Sequence, residues 1–211
     1  LEYIPYEYRT EELCKSVIQQ NADSFQHVPE HLITKEFCES IVEINIECYG
    51  LIPEHLKTEN ICKFVVKKNG NSLHFIPKDM RTEEICRLAI EQNGNALQFV
   101  PEEMITEELC KMAINQKIDS IDFVPEIFLT EELCKMAVKK HWWILQSIPQ
   151  KYLTEEICKI AVQQNKDAMD YVPECLQEKM KCHILYGAIK VKFPNSKYED
   201  VFLEIQSLFL K

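Results

Sequence analysis

The chain has 211 residues, 46% of them hydrophobic, and a formal net charge of −10. That apolar share is enough for a continuous core, while no stretch of about twenty apolar residues offers a membrane span. The acidic balance disfavours nucleic-acid phosphate as the main partner. No signal-peptide pattern opens the chain. Leu1 falls in mid-pattern with no initiator methionine, so the chain is expected to be a fragment of a longer protein.

Eight prolines recur every 24 residues: Pro5, Pro29, Pro53, Pro77, Pro101, Pro125, Pro149 and Pro173. An unbroken period of this length means one small structural piece stacked on copies of itself. Along the chain, a helix of about eleven residues is predicted to start after each of Thr10, Thr34, Thr58, Thr82, Thr106, Thr130 and Thr154. Each threonine is placed to accept a bond from an orphan N–H of the first turn. Glutamates in that turn suit the positive end of the helix dipole. Apolar residues at i, i+1, i+4 and i+5, as in Leu109, Cys110, Ala113 and Ile114, make one buried stripe. Asn69-Gly70 and Asn93-Gly94 read as stops in which glycine takes the left-handed conformation. A short apolar segment such as Ala96 to Val100 then runs into the next proline. It is predicted to be a short helix or 3₁₀ turn, followed by an extended or turn-like join. A strand is the competing reading, confined by the proline to an edge position.

The expected fold class is all-α: an α-solenoid of about seven 24-residue repeats, each one α-helix plus a short α/3₁₀ segment. The repeats occupy 1–174. The last repeat, within 175–211, diverges: Cys182 keeps the frame, Glu178 replaces the threonine, and Pro194 comes three residues early. Lys197 to Leu210 is predicted to be an amphipathic helix, with Ser196 as a possible N-cap, covering the open end of the stack.

Eight of the ten cysteines also keep the 24-residue beat, from Cys14 to Cys182. They lack the close pairs of a zinc site. One per layer, about 8–10 Å apart, they lie too far from one another for disulfides. They read as small buried hydrophobes in a reducing, cytoplasmic compartment. Cys48 and Cys175 fall outside the column and are less constrained, so either could be reactive. Glutamate precedes lysine or arginine by four in most repeats, as in Glu11–Lys15, Glu59–Lys63, Glu83–Arg87, Glu107–Lys111, Glu131–Lys135 and Glu155–Lys159; Lys35 and Glu39 reverse the order. These read as stabilising pairs on a solvated face.

In a repeat protein the departures from the shared columns are the better functional candidates. The clearest is His141, Trp142, Trp143 and Ile144, where sister repeats carry Asn69-Gly70-Asn71-Ser72 and Asn93-Gly94-Asn95-Ala96. Tryptophan is enriched at binding hot spots. The four are read as partner-binding candidates, with packing over a neighbouring layer as the competing role. The column two before each proline is nearly aromatic, with Phe75, Phe99, Phe123 and Tyr171, and reads as core or groove wall. No phosphate loop, nucleophile elbow or metalloprotease pattern is present. No enzyme, cofactor or metal is therefore expected.

The pattern T-E-E-[LI]-C-K-x-A-[VI]-x-x-N-G-x-A-L-x-[FY]-V-P-E, with its Ala-Val or Ala-Ile pair, Asn-Gly stop and Ala-Leu-Gln-Phe-Val segment, resembles the short helical repeats of the domain of unknown function 4116 family. The resemblance covers Leu1 to about Glu174. The cysteine column and the strict proline depart from the broader pattern. The resemblance implies a viral or bacterial effector acting in a host cytosol. The period is also similar to that of leucine-rich variant repeats, which alternate α and 3₁₀ helices. The expected role is a non-catalytic scaffold for a protein partner, without nucleic acid or membrane. The alternative is a targeting arm of a larger enzyme whose catalytic domain lies outside this chain.

Overall fold

The structure, a computed structural model, describes residues 1–192. The segment 197–210, read above as a capping helix, lies outside the described residues. Eight α-helices follow in order: α1 Glu11–Gln20, α2 Lys35–Ile44, α3 Glu59–Lys68, α4 Glu83–Gln92, α5 Glu107–Gln116, α6 Glu131–Lys140, α7 Glu155–Gln164 and α8 Glu174–Lys192. The fold is an all-α repeat solenoid, and among the described residues no strand occurs. The chain forms two compact units, Leu1–Lys117 and a second beginning at Ile118.

The first seven helices are ten residues long, and each starts on the predicted cap. Thr34 Oγ accepts from Phe37 N at 3.2 Å, and Thr82 Oγ from Ile85 N at 3.4 Å. Helices α2 to α7 bury the whole predicted stripe, in α4 Ile85, Cys86, Ala89 and Ile90, whereas α1 buries only Cys14 and Ile18 of it. The segment that follows is a six-residue 3₁₀ helix rather than a strand, for example Gly94–Phe99. A second 3₁₀ turn of three residues follows each column proline from Pro5 to Pro149, as at Glu102–Met104. The proline nitrogen has no hydrogen to donate, while its carbonyl closes that turn: Met104 N donates to Pro101 O at 2.9 Å.

The helix stop differs from the expected left-handed glycine. No described glycine has a positive φ. Asn69 itself breaks the helix by turning extended, with φ −149° and ψ 106°. Its N–H still closes the last α-turn onto Val65 O, while its Oδ1 accepts from Asn71 N at 3.1 Å and so caps the 3₁₀ helix. One asparagine thus ends one helix and starts the next. Gly70 serves a close approach instead: a Cβ there would collide with the Ala89 carbonyl of α4 and lie 3.0 Å from Asn93 N.

Within each unit the layers are joined by polar side chains as well as by the core. Gln116 Oε1 accepts from Gly94 N at 2.7 Å, and its Nε2 donates to Gln92 O at 2.9 Å. Gln92 binds Gly70 N and Lys68 O one layer earlier in the same way. Arg81 donates to the carbonyls of Ile76, Phe99 and His74 at 2.8, 2.7 and 3.2 Å, and Arg9 repeats this with Ile4, His27 and Glu2. Five guanidinium hydrogens in a rigid fork suit such a cluster of acceptors.

In α8 the post-proline turn and the next repeat helix run together. Glu178 stands where the threonine broke the backbone, so nothing ends the turn. Gln177 Nε2 reaches Val172 O at 3.2 Å, the carbonyl equivalent to the one that Arg81 Nε binds.

Candidate functional site

The His141 to Ile144 edge lies at the end of α6 in the second unit. His141 takes the extended conformation that asparagine adopts in its sisters, with φ −149° and ψ 119°, and closes the α-turn onto Ala137 O. Its imidazole makes no capping bond to the following 3₁₀ helix, Trp142–Ser147. Uncapped, this 3₁₀ helix is looser. Ile144 N to His141 O is 3.3 Å and Ile148 N to Leu145 O is 3.4 Å, against 2.9 and 3.1 Å for the corresponding bonds after Asn93.

The four candidate residues separate in space. Ile144 is buried, 2% exposed, and points into the column occupied elsewhere by Ser24, Cys48, Ser72, Ala96, Ser120 and Ala168. It is a core residue, so for Ile144 the packing role holds and no surface is left for a partner. Trp142 is half-buried at the position where Gly70 meets the next helix backbone. Trp143 is 38% exposed. The His141 ring stacks on it with centroids 4.2 Å apart and planes 26° from parallel, while Trp142 meets it edge-on at 6.3 Å and 85°. Ile144 therefore packs in the core, while the rings of His141, Trp142 and Trp143 touch one another around the partly exposed Trp143.

Lys139 and Lys140 end α6 exposed, and one layer on the exposed Lys166 and Asp167 hold the positions of Trp142 and Trp143. The interlayer glutamine also shifts here: Gln164 Nε2 donates to Val138 O at 2.7 Å and Lys139 O at 3.3 Å, one to two residues further back along the helix than its sisters reach.

A family model for the domain of unknown function DUF4116 matches residues 10–57, 34–81, 58–106, 82–129 and 130–177. The chain belongs to the DUF4116 family. No curated protein and no solved structure matches it. Every matched window opens on one of the threonine caps, and each spans about two of the 24-residue repeats. A DUF4116 module is therefore two layers, and the three-ring edge falls inside the last window.

The remaining candidates of this DUF4116 chain are settled by burial. All ten cysteines are free thiols; Cys48 is fully buried and Cys175 exposed. Burial pushes the Cys48 thiol up to about 11, so the expectation that it is less constrained does not hold. The column cysteines Cys38, Cys86, Cys110, Cys134 and Cys158 are raised to about 11 by the same burial. Of the aromatic column before the prolines, Phe75 is 63% exposed, Tyr171 is exposed as well, and Phe99 and Phe123 are half-buried, so the column is not core. Among the described residues no group of three or more His, Cys, Asp or Glu is placed to hold a metal, and no helix is long and apolar enough to cross a membrane. The sequence reading passed over Gln92, Gln116, Arg9 and Arg81. Their periodic spacing was visible, but which backbone groups they satisfy depends on the layer geometry.

Proposed function

We propose that this DUF4116 chain is a non-catalytic scaffold that holds a protein partner at the edge formed by His141, Trp142 and Trp143. The observation that carries the reading is the exposed Trp143 ring stacked on His141, at a turn where sister repeats place small polar residues. Two rings already in contact form a rigid platform, so little entropy is lost when a partner covers them. An apolar residue of the partner would seat on the exposed face of Trp143. Free buried thiols support a reducing compartment, which for the effector role implied by the family resemblance is a host cytosol.

The test is affinity capture from cytosol with the wild-type chain and with Trp143→Ser. Trp143 is partly exposed, so the substitution should leave helical content and melting nearly unchanged. Capture of the partner should fall about tenfold, the scale of a single hot-spot residue. Equal capture by both chains removes the edge as the binding surface. Retention of RNA or DNA that is lost on raising salt replaces the protein partner with nucleic acid.

A further inference from the structure

In the first unit the groove between α2 and α3 departs from the repeat in its charges. The helix position ten after each proline is a cation in Lys15, Lys63, Arg87, Lys111, Lys135 and Lys159, but Glu39 occupies it in α2. The position seven after the proline is a carboxylate in Glu12, Glu36, Glu84, Glu108, Glu132 and Glu156, but in α3 it is Asn60. In three other gaps these two positions join the layers. Lys63 Nζ reaches Glu84 Oε2 at 2.7 Å, Arg87 Nη1 reaches Glu108 Oε1 at 3.1 Å, and Lys135 reaches Glu156. Between α2 and α3 both partners have changed, so neither position supplies a cation.

A groove of about 200 Å³ remains, lined by Glu39, Val42, Glu43, Asn60, Ile61 and Phe64. Val42 and Ile61 are buried and floor it; Phe64 is half-buried along its wall. Glu39 and Glu43 stand one turn apart on the α2 rim. Glu39 Oε1 accepts only neutral donors, Thr58 Oγ at 2.6 Å and Asn60 Nδ2 at 3.5 Å. Among the described residues neither Glu39 nor Glu43 is in an ion pair. The Phe64 ring already attracts one cation, with Lys68 Nζ 5.5 Å from its centroid.

We infer that this groove receives a long basic side chain, arginine or lysine, presented by a partner polypeptide. Its aliphatic stem would lie along Val42, Ile61 and Phe64, and its charged head would meet Glu39 and Glu43. The repeat itself supplies the template, because Lys63 and Arg87 cross the equivalent gaps in the next two layers. The inference rests on the reading of the chain as a binding scaffold but not on the tryptophan edge, which belongs to the other unit.

The test is a titration of the ¹⁵N-labelled full chain, followed by NMR. One probe is a blocked pentapeptide with arginine at its centre and alanine elsewhere. The other is the same peptide with uncharged citrulline in place of arginine. The arginine peptide should give saturable shifts at the amides of residues 39, 43, 60 and 64, and the citrulline peptide should bind about tenfold more weakly. The double substitution Glu39→Lys with Asn60→Glu rebuilds the pair found in the other layers. It should fill the groove from within, abolish the shifts and leave the melting temperature equal or higher. Trp143→Ser should leave the shifts untouched, which separates this site from the edge. No shifts with the wild-type chain, equal shifts with both peptides, or shifts that survive the double substitution would each overturn the inference.

Discussion

Two glycines of this chain, Gly50 and Gly70, differ in what surrounds them. Gly70 sits where a Cβ would run into the Ala89 carbonyl of the next helix, while around Gly50 an added Cβ meets nothing within 4 Å. Neither has a positive φ, so an alanine is allowed by the backbone at both. Gly70→Ala should therefore destabilise by about 1–3 kcal/mol through overpacking. Gly50→Ala should be neutral or stabilising by up to about 1 kcal/mol, because it restricts the unfolded chain. Chemical denaturation of the two variants checks the contrast. The buried cysteines, five of the column and Cys48, make a second prediction at this scale. Six buried thiols are raised to about 11 from an ordinary 9.0. An acid whose folded pKa is raised keeps its proton longer in the native state, so between these two values the native chain holds more protons than the unfolded one and stability falls as pH rises. The melting temperature should be flat up to about pH 8 and drop between about pH 9 and 11, and Cys86→Ala with Cys110→Ala should make the drop shallower. A thiol reagent at neutral pH should modify the exposed Cys175 while leaving the column unreacted until the chain unfolds.

At the level of the element, the seven threonine-capped helices were legible because a cap is local: Thr82 needs only the N–H of Ile85 three residues on. Thr82→Ala should cost about 1 kcal/mol, read as a lowered urea midpoint at unchanged slope. The helix stop was misread for the same reason. Asn-Gly has a well-known left-handed use, and only the neighbouring layer reveals that Asn69 turns extended and that Gly70 is small to admit the Ala89 carbonyl. Of the six predicted i,i+4 ion pairs, Glu11–Lys15, Glu59–Lys63, Glu83–Arg87 and Glu107–Lys111 form. In the second unit Lys135 turns to Glu156 of the next layer, and Glu131 accepts from Thr154 Oγ. Interlayer contacts of this kind have no signature in a single repeat. At the candidate site the sequence marked the turn as a departure from its sisters, yet it could not separate Ile144, which fills a small-residue column in the core, from Trp143, which does not. The glutamine links are the most testable of the unseen contacts. Gln116→Leu removes both bonds and leaves the Gly94 N–H without its acceptor, so it should destabilise by about 1–3 kcal/mol. Gln19→Leu, at an exposed neighbouring column with no such link, should change little.

For the whole molecule, the period that organises the sequence is also the smallest piece that can be removed without breaking the rules of assembly. Each layer presents the same faces to its neighbours: a threonine-capped helix, a six-residue 3₁₀ return, and a proline-led turn that enters the next cap. Excising residues 82–105 joins Arg81 to Thr106, and every column resumes in register: the cap, the cysteine, and the cation that reaches for the following carboxylate. The lost layer takes its own core with it, including Ile85, Ile90 and Leu97, but leaves no unmatched face inside the first unit. Stability in such arrays is close to a sum of layer and interface terms. The shortened chain should therefore remain helical by circular dichroism, unfold cooperatively, and melt somewhat lower than the full chain. Excising only residues 94–105 keeps α4 but deletes its 3₁₀ return, so Asn93 would run straight into Thr106 and the buried stripes of α4 and α5 would lose the segment that aligns them. That chain, although it loses half as many residues, should be the less stable of the two by thermal melting. The reverse order would show that the 24-residue period is a pattern in the sequence without being the cooperative element of the fold.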